Sequence, residues 1–305
     1  MDRETVEHMY RMVDDHVGAE DLNALLKAFI EEKAQEQGSW SSITRCTHDM
    51  LGGASPHIDR LAAATELILL CFDIVDDLQD QDHESKPWMQ CPPAVALNAV
   101  LVFLTGFIGE LGQCGVNGRS LYEISKMLSR SVSGQHKDVT NQVVSEVDDY
   151  LTMIQEKSGS LFRFACLMGY CLTDCSEETM ERIDDLADCV GMIHQIQNDL
   201  KDIAQFDVKS DLLLRKRTLP VLYLLNVDSE AFRPVKEYYE GKITADALVQ
   251  DKEQYMRLIV DSGCIEYTKI VQSVCVQKAE ELWIDLQVPS PWKEKFRELT
   301  YAAFA

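Results

Sequence analysis

Four carboxylates occupy one short segment of the chain, directly after a long apolar run. They are Asp73, Asp76, Asp77 and Asp80, at positions i, i+3, i+4 and i+7. On a helix these positions form a single stripe, in which like charges on adjacent turns repel one another. A helix with such a stripe usually holds cations, and hard oxygen ligands select Mg²⁺ or Mn²⁺. The segment therefore predicts a metal site.

A second stripe with the same spacing lies more than a hundred residues later. It consists of Gln195, Asn198, Asp199 and Asp202. Two facing stripes that hold Mg²⁺ suit a ligand with several negative oxygens, above all a diphosphate, because Mg²⁺ keeps few protein ligands and binds phosphate oxygens. The chemistry indicated is ionisation of a diphosphate leaving group.

A solvated helix face is the alternative for any acidic stripe, because the chain has 51 acidic against 29 basic residues. We expect such surface positions for Asp148, Asp149, Asp184, Asp185 and Asp188. Both stripes, in contrast, directly follow apolar runs, which places them next to a core. A pair of metal-binding stripes is therefore the favoured interpretation.

The composition is that of a chain that can bury a large core. The 305 residues are 46% hydrophobic and show no linker, repeat or low-complexity segment, so we expect a single domain over residues 1–305. The net charge of −22 argues against nucleic acid and anionic membrane surfaces as partners, because both would repel the protein. A polyanionic substrate would have to enter with its metal ions.

Three further features predict a soluble cytoplasmic protein. The ten cysteines are scattered through apolar helical stretches, which is typical of buried thiols in a reducing compartment. The N-terminus opens acidic and lacks the basic and apolar regions of a signal peptide. The longest stretch with almost no charge, residues 94–109, ends at Glu110 and is too short for a membrane span, so we expect no transmembrane segment.

Apolar residues recur with a helical period along nearly the whole chain, for example at Leu22, Leu25, Leu26, Phe29 and Ile30. Strand-like alternation between turns is hard to find, and Gly and Pro clusters divide the helical segments. We therefore predict an all-α bundle in which both acidic stripes lie on core helices.

With both stripes placed, the chain resembles the trans-isoprenyl diphosphate synthase superfamily. Five segments match motifs of that superfamily in the right order: D-D-L-Q-D at 76–80, G-Q-H-K-D at 134–138, K-S-G-S-L at 157–161, N-D-L-K-D at 198–202 and K-R-T-L-P at 216–220. In the fourth, an amide replaces the leading aspartate. The resemblance implies an isoprenoid synthase-type helical bundle with a central cavity between two aspartate-rich helices, and a homodimer.

The chain departs from the chain-elongating members of the superfamily where those members bind isopentenyl diphosphate. No basic cluster occurs near residues 38–42, Leu69 stands in place of a His, and residues 82–86 replace an arginine pair. A second diphosphate could hardly bind without such cations. The combination resembles the ComQ-type enzymes of Gram-positive quorum sensing, and Trp88-Met89 strengthens that resemblance. It implies transfer of a prenyl group from an allylic diphosphate to a tryptophan in a ComX-type precursor peptide.

The resemblance also implies roles for individual residues. The metal ligands, for Mg²⁺ or for Mn²⁺ in its place, would be Asp76, Asp77, Asp80, Asn198, Asp199 and Asp202. Among them the catalytic set would be Asp76, Asp77, Asp80 and Asp199, because the metals neutralise the departing diphosphate. The diphosphate itself would be bound by Lys157, Lys201, Lys216, Gln135 and Gln195. Phe72, one turn below Asp76, would shorten the prenyl tunnel and favour geranyl or farnesyl groups.

Several alternatives remain open. Lys157, Gln135 and Gln195 could be ordinary surface residues, and Phe72 an ordinary core residue. A short-chain prenyl diphosphate synthase would need the acceptor cations that are missing here. A terpene cyclase on the same fold would need no acceptor diphosphate, and an inactive subunit that partners a synthase would have no need of both stripes.

Overall fold

The fold was derived from a computed structural model, which describes residues 1–36, 38–140, 144–205, 210–250, 252–289 and 291–305. Within those ranges the regular structure is helical and no strand occurs, so the all-α prediction is confirmed.

The helices up to residue 170 are α1 (Arg3–His16), α2 (Glu20–Ala34), α3 (Trp40–Met50), α4 (Ile58–Asp80), α5 (Pro87–Gln90), α6 (Pro93–Gln113), α7 (Gly118–Thr140), α8 (Val147–Ile154) and α9 (Ser160–Tyr170). A π-helical turn, Gln155–Gly159, joins α8 to α9. The later helices are α10 (Glu177–Gln205), α11 (Leu219–Asn226), α12 (Arg233–Tyr239), α13 (Ala245–Val249), α14 (Lys252–Asp261), α15 (Cys264–Asp285) and α16 (Trp292–Thr300).

The chain forms two compact units. Unit 1 comprises Met1–Leu128, Arg163–Asp184 and Leu286–Ala302, and unit 2 comprises Ser129–Phe162, Asp185–Asp285 and Ala303–Ala305. Each unit contains one of the acidic stripes. The single domain expected from the sequence stays a prediction.

Unit 1 is organised around α4. Every residue from 61 to 71 is buried, as expected for a helix that is apolar on all sides. The helix packs against α1, α3 and α6. The buried Glu66 in this stretch accepts hydrogen bonds from the Ser41 backbone N–H at 2.8 Å and from the Ser39 hydroxyl at 2.6 Å. The core therefore leads directly into the first stripe at the end of α4.

The helix α6, at 21 residues, is longer than the charge-free stretch seen in the sequence. By length and composition it could cross a membrane, and 39% of its most apolar window is buried. The sequence argument from length therefore does not hold for this helix. Within unit 1 it packs on α4, and its buried Glu110 forms an ion pair with Arg60 at 2.7 Å.

In unit 2, α10 packs against α8 and α11. Buried side chains of these helices form one cluster that includes Tyr150, Ile154, Ile196, Leu200 and Leu222. A second cluster surrounds Val221 and Leu224 of α11 and reaches α14. The second stripe lies on α10 within this packing.

Two expectations about other polar residues can be compared with the fold. The ten cysteines are all free thiols, and most are buried, as predicted. The expected surface position is confirmed for Asp148 and Asp185, which are exposed, while Asp149 and Asp184 are half-buried. For Asp188 the expectation is wrong. Asp188 is buried and accepts hydrogen bonds from Arg130 and Gln155, because a nearby guanidinium and amide compensate its burial.

Candidate active site

The first stripe occupies the last turns of α4, in unit 1. Asp77 is buried, whereas Asp76 and Asp80 are half-buried. The helix ends directly after the stripe because Gln81 adopts the left-handed conformation, with φ 55° and ψ 35°. The chain can therefore turn back over the carboxylates.

The returning loop and the short helix α5 each supply one hydrogen-bond donor to Asp77. The indole Nε1 of Trp88 donates to Oδ2 at 2.6 Å, and Nδ1 of His83 donates to Oδ1 at 2.7 Å. Ligand atoms of Asp77, Asp82 and His83 all lie within 4.8 Å of one another, a spacing that could hold a metal ion. Burial raises the pKa of Asp77 to about 6, although both donors oppose the shift.

Asp73, the first carboxylate of the stripe, is bound by a lysine. Lys33 of α2 lies 2.6 Å from Asp73 and 2.5 Å from Glu36. Lys86 lies 2.8 Å from Glu36 and 3.1 Å from Glu32. These two lysines are thus neutralised within unit 1, and Asp73 has a cationic partner of its own.

The second stripe lies on α10, in unit 2. Its buried member, Asp199, accepts a hydrogen bond from the Tyr150 hydroxyl at 2.5 Å and one from the Gln195 side-chain amide at 3.1 Å. Both donors are neutral. Burial therefore raises the pKa of Asp199 to about 7. Burial and the adjacent Asp199 also hold the pKa of Tyr150 well above its ordinary value, so the phenol remains a donor.

The other members of this stripe are less buried. Asn198, which replaces an aspartate of the motif, is exposed, and Asp202 is half-buried. Asp202 accepts a hydrogen bond from the backbone N–H of Asp211 at 2.9 Å. Lys201 is exposed, and its spacing from Asp199 puts it on a different face of α10.

The K-S-G segment lies in the π-helical turn, a distortion that is frequent at functional sites. Two glycines allow neighbouring helices to approach this turn closely. A methyl group on Gly134 of α7 would lie 2.3 Å from the backbone N of Lys157, and one on Gly191 of α10 would lie 2.5 Å from Cα of Gly159. Close backbone packing therefore fixes the position of Lys157.

Lys157 donates to the buried Asp138, the last residue of the G-Q-H-K-D segment, at 2.7 Å. Burial alone would raise the pKa of Asp138, but Lys157 and Lys216 hold it below its ordinary value. Lys216 also lies 3.5 Å from Asp211. Two of the predicted diphosphate-binding lysines are thus brought into one charged cluster.

The two predicted glutamines are placed differently. Gln195 connects the second stripe to the π turn, because its side-chain oxygen accepts a hydrogen bond from the Ser158 hydroxyl at 2.7 Å. Gln135 is half-buried on α7, one turn before Asp138. Phe72 is half-buried on α4 and so retains surface that could line a tunnel.

Sequence reasoning gave no role to several residues that hold this site together. Trp88 and Asp138 appeared in matched segments, but only as part of a resemblance. Tyr150 stands seven residues before Lys157, a spacing that could have placed both on one helix face. No sequence signal pointed to Lys33.

Unit 1 also contains a cavity of about 440 Å³, whose lining includes Arg163, Tyr170 and Asp184. None of the residues predicted for the site lines this cavity. The cavity expected between the two acidic helices stays a prediction.

Comparisons with known proteins agree with the fold. The chain matches the family Polyprenyl synthetase over residues 41–259. It is 29% identical to "Tryptophan prenyltransferase ComQ" of Bacillus subtilis (strain 168), over 95% of both chains. A decaprenyl diphosphate synthase from Rhodobacter capsulatus superposes with a TM-score of 0.80 at 19% identity, over 97% of this chain and 94% of that one. A geranylgeranyl pyrophosphate synthase from Corynebacterium glutamicum, complexed with calcium and isoprenyl diphosphate, superposes with a TM-score of 0.75 at 21% identity, over 96% and 91%.

The helical fold and its two acidic stripes define a class, that of all-α enzymes with the isoprenoid synthase fold. More particularly, the chain belongs to the polyprenyl synthetase family and is a prenyltransferase. The predicted fold and the predicted superfamily are therefore both confirmed.

Proposed function

We propose that the protein transfers a geranyl or farnesyl group from its diphosphate to a tryptophan of a quorum-sensing precursor peptide. The observation that carries this proposal is the similarity to a tryptophan prenyltransferase along 95% of both chains. The prenyl–oxygen bond breaks, diphosphate leaves, and a carbon of the indole forms the new bond. The cationic acceptor then loses a proton, which the released diphosphate can accept. The acceptor is thus the nucleophile, and the site needs no strong base.

The carboxylates fit divalent cations. Asp199 is buried beside donors that are neutral in the described structure, and its pKa is raised to about 7, so a cation next to it would favour the ionised form. The ligands would be Asp76, Asp77, Asp80, Asp199 and Asp202, with the exposed Asn198 as a weaker member. Bound Mg²⁺, or Mn²⁺, would supply charge neutralisation of the leaving diphosphate.

Lys157 and Lys216 are the residues best placed to bind the diphosphate. Both lysines lie in one charged cluster, with Lys157 2.7 Å from the buried Asp138 and Lys216 3.5 Å from Asp211. Lysine ammonium groups bind phosphate as point charges, which fits this position beside the second stripe. Lys201 is a weaker candidate because it lies on an exposed face.

The residues near the missing acceptor motifs support a peptide rather than a second diphosphate. Ser39 and Ser41 are bound by the carboxylate of Glu66, and Leu69 is buried. Lys33 and Lys86 are already paired with three carboxylates. An isopentenyl diphosphate would therefore meet negative charge in place of arginine forks.

Three further properties are part of the proposal. The half-buried Phe72 would limit the length of the prenyl chain. Exposed apolar side chains on α6, at Leu97, Leu101 and Ile108, would suit a homodimer interface. A cytoplasmic location would match the free thiols.

The test is incubation of the purified protein with Mg²⁺ and geranyl or farnesyl diphosphate, with and without a tryptophan-containing precursor peptide encoded beside its gene. Mass spectrometry should show a gain of one prenyl group on the peptide, and none on a matched peptide with Trp→Ala. Elongated diphosphates after addition of isopentenyl diphosphate would favour a short-chain synthase instead. A cyclised hydrocarbon without any acceptor would favour a terpene cyclase.

A further inference from the structure

Trp88 is among the largest fully buried side chains of the chain, and its indole N–H is directed at the first stripe. It donates to Oδ2 of Asp77 at 2.6 Å. The ring is held on two sides, by an edge-to-face contact with Phe29, with centroids 5.6 Å apart, and by the ammonium of Lys86 at 5.3 Å. Its N–H therefore has a fixed direction.

An indole is a donor only, and it does not ionise. It cannot ligate a metal ion, and it does not gain or lose charge when one binds. The indole bond occupies one lone pair of Oδ2 and the His83 bond one lone pair of Oδ1, so each oxygen of Asp77 keeps a second lone pair with which it could ligate a cation. A partner of this kind fixes a ligand's orientation without competing for the cation.

We propose that Trp88 is a positioning residue, which holds the Asp77 carboxylate in the orientation that binds a divalent cation. This inference rests on the proposed function, because it takes Asp77 to be a metal ligand. It adds a residue outside the aspartate motif to the machinery of the site. Substitutions of such outer partners typically weaken metal affinity by about 10- to 100-fold.

A purely structural role for Trp88 is the competing explanation, and two variants separate them. Trp88→Phe keeps an aromatic ring on Phe29 but removes the N–H. Phe29→Leu loosens the packing of the indole but leaves its N–H in place. Both variants should lower the melting temperature. A decrease in Mn²⁺ affinity that only Trp88→Phe shows is therefore caused by loss of the hydrogen bond.

The experiment measures binding of Mn²⁺ in the presence of inorganic diphosphate, by electron paramagnetic resonance and calorimetry on the full chain. We expect about tenfold weaker Mn²⁺ binding in Trp88→Phe and less than about twofold in Phe29→Leu. Activity assays should show a matching rise in the Mg²⁺ concentration for half-maximal rate, with kcat at saturating Mg²⁺ largely retained.

Equal Mn²⁺ affinity in wild type and Trp88→Phe would overturn the positioning role. So would equal losses in both variants. If the wild type binds no Mn²⁺ with diphosphate, the metal site itself fails, and this inference fails with it. Weaker Mn²⁺ binding in Trp88→Phe, together with no prenylation of any peptide by the wild type, would support the positioning role of Trp88. It would reject only the proposal that a peptide is the acceptor.

Discussion

In α4 the buried aspartate of the stripe accepts hydrogen bonds from an indole and an imidazole, whereas in α10 it accepts them from a phenol and an amide. The buried residue is the i+4 member in both stripes, Asp77 and Asp199. The flanking positions differ, because Asp73 is paired with Lys33 while Gln195 needs no countercharge. Identical spacing thus fixes which residue turns inward, but not what compensates its charge.

The two stripes should depend on bound cations to different degrees. Asp77 has an imidazole beside it and a pKa of about 6, while Asp199 has neutral donors and a pKa of about 7. The carboxylate of Asp199 is therefore the harder of the two to ionise without a metal ion. Five predictions test this difference, starting with the largest effect.

Asp77→Asn and Asp199→Asn should each lower kcat/KM for peptide prenylation by about 10³-fold or more, because charge stabilisation of the leaving group depends on both stripes. Steady-state kinetics at saturating Mg²⁺ would measure this. A loss below tenfold in one variant alone would show that the corresponding stripe is dispensable.

Lys157→Gln should lower kcat/KM by about 10²-fold, as for loss of one charged donor to the leaving group. Lys269→Gln, at an exposed lysine of the same unit, is the matched control and should change the rate by less than about twofold. Because Lys157→Gln also leaves Asp138 buried without its partner, the double variant with Asp138→Asn separates stability from catalysis. Full activity in the double variant would contradict a phosphate-binding role.

The metal-free protein should lose stability as the pH rises from 5 to 8. The pKa of Asp199 is about 7 in the folded chain and near its ordinary value when unfolded, so the folded state binds the extra proton in this range. The contribution is present below pH 4 and is lost as the pH passes 7. Urea denaturation should show a decrease of which Asp199→Asn removes roughly 1–3 kcal/mol, while Asp77, with its pKa of about 6, accounts for a further part. An unchanged pH slope in Asp199→Asn would refute this assignment.

Tyr150→Phe should lower the free energy of unfolding by about 1–2 kcal/mol, because a buried carboxyl loses a donor. It should also raise the pKa of Asp199 further, since the phenol hydrogen bond lowers it. Denaturation at pH 8 measures the first effect. Tyr122→Phe, at a largely exposed tyrosine, should leave the free energy of unfolding unchanged. An equal decrease in that variant would contradict the role of the Tyr150 hydrogen bond.

Asn198→Asp should have the smallest effect, a change of less than about threefold in kcat/KM, because the side chain is exposed and an added surface charge is well screened. Such a variant restores the full motif of the second stripe. A gain above tenfold would show that the amide limits metal binding in α10.

The helical period of the sequence was sufficient to place both stripes on core helices, because burial of one face leaves a regular pattern. It could not identify Lys33, Trp88 or Tyr150 as partners of the aspartates. Tyr150 and Asp199 are 49 residues apart in sequence. The helical period of apolar residues indicates which face of a helix is buried, but not which residues of other helices contact that face. The same limit explains the wrong expectation for Asp188.

The resemblance found the segment around Lys157 but not its conformation. A π turn carries more residues than an α-helical turn, so a search for the regular helical period passes over it. The sequence argument also made α6 too short, because it took the charge of Glu110 as the end of the apolar segment. A buried ion pair lets Glu110 continue a helix that the charge seemed to end.

The junction of Gly134, Gly159 and Gly191 has a consequence for motion. With no side chains between the backbones, the π turn cannot shift unless α7 and α10 separate locally. Amide hydrogens of this turn should therefore exchange with solvent only through a large opening of unit 2, and rank among its slowest. Lys157 is then a stationary anchor, to which the diphosphate must come.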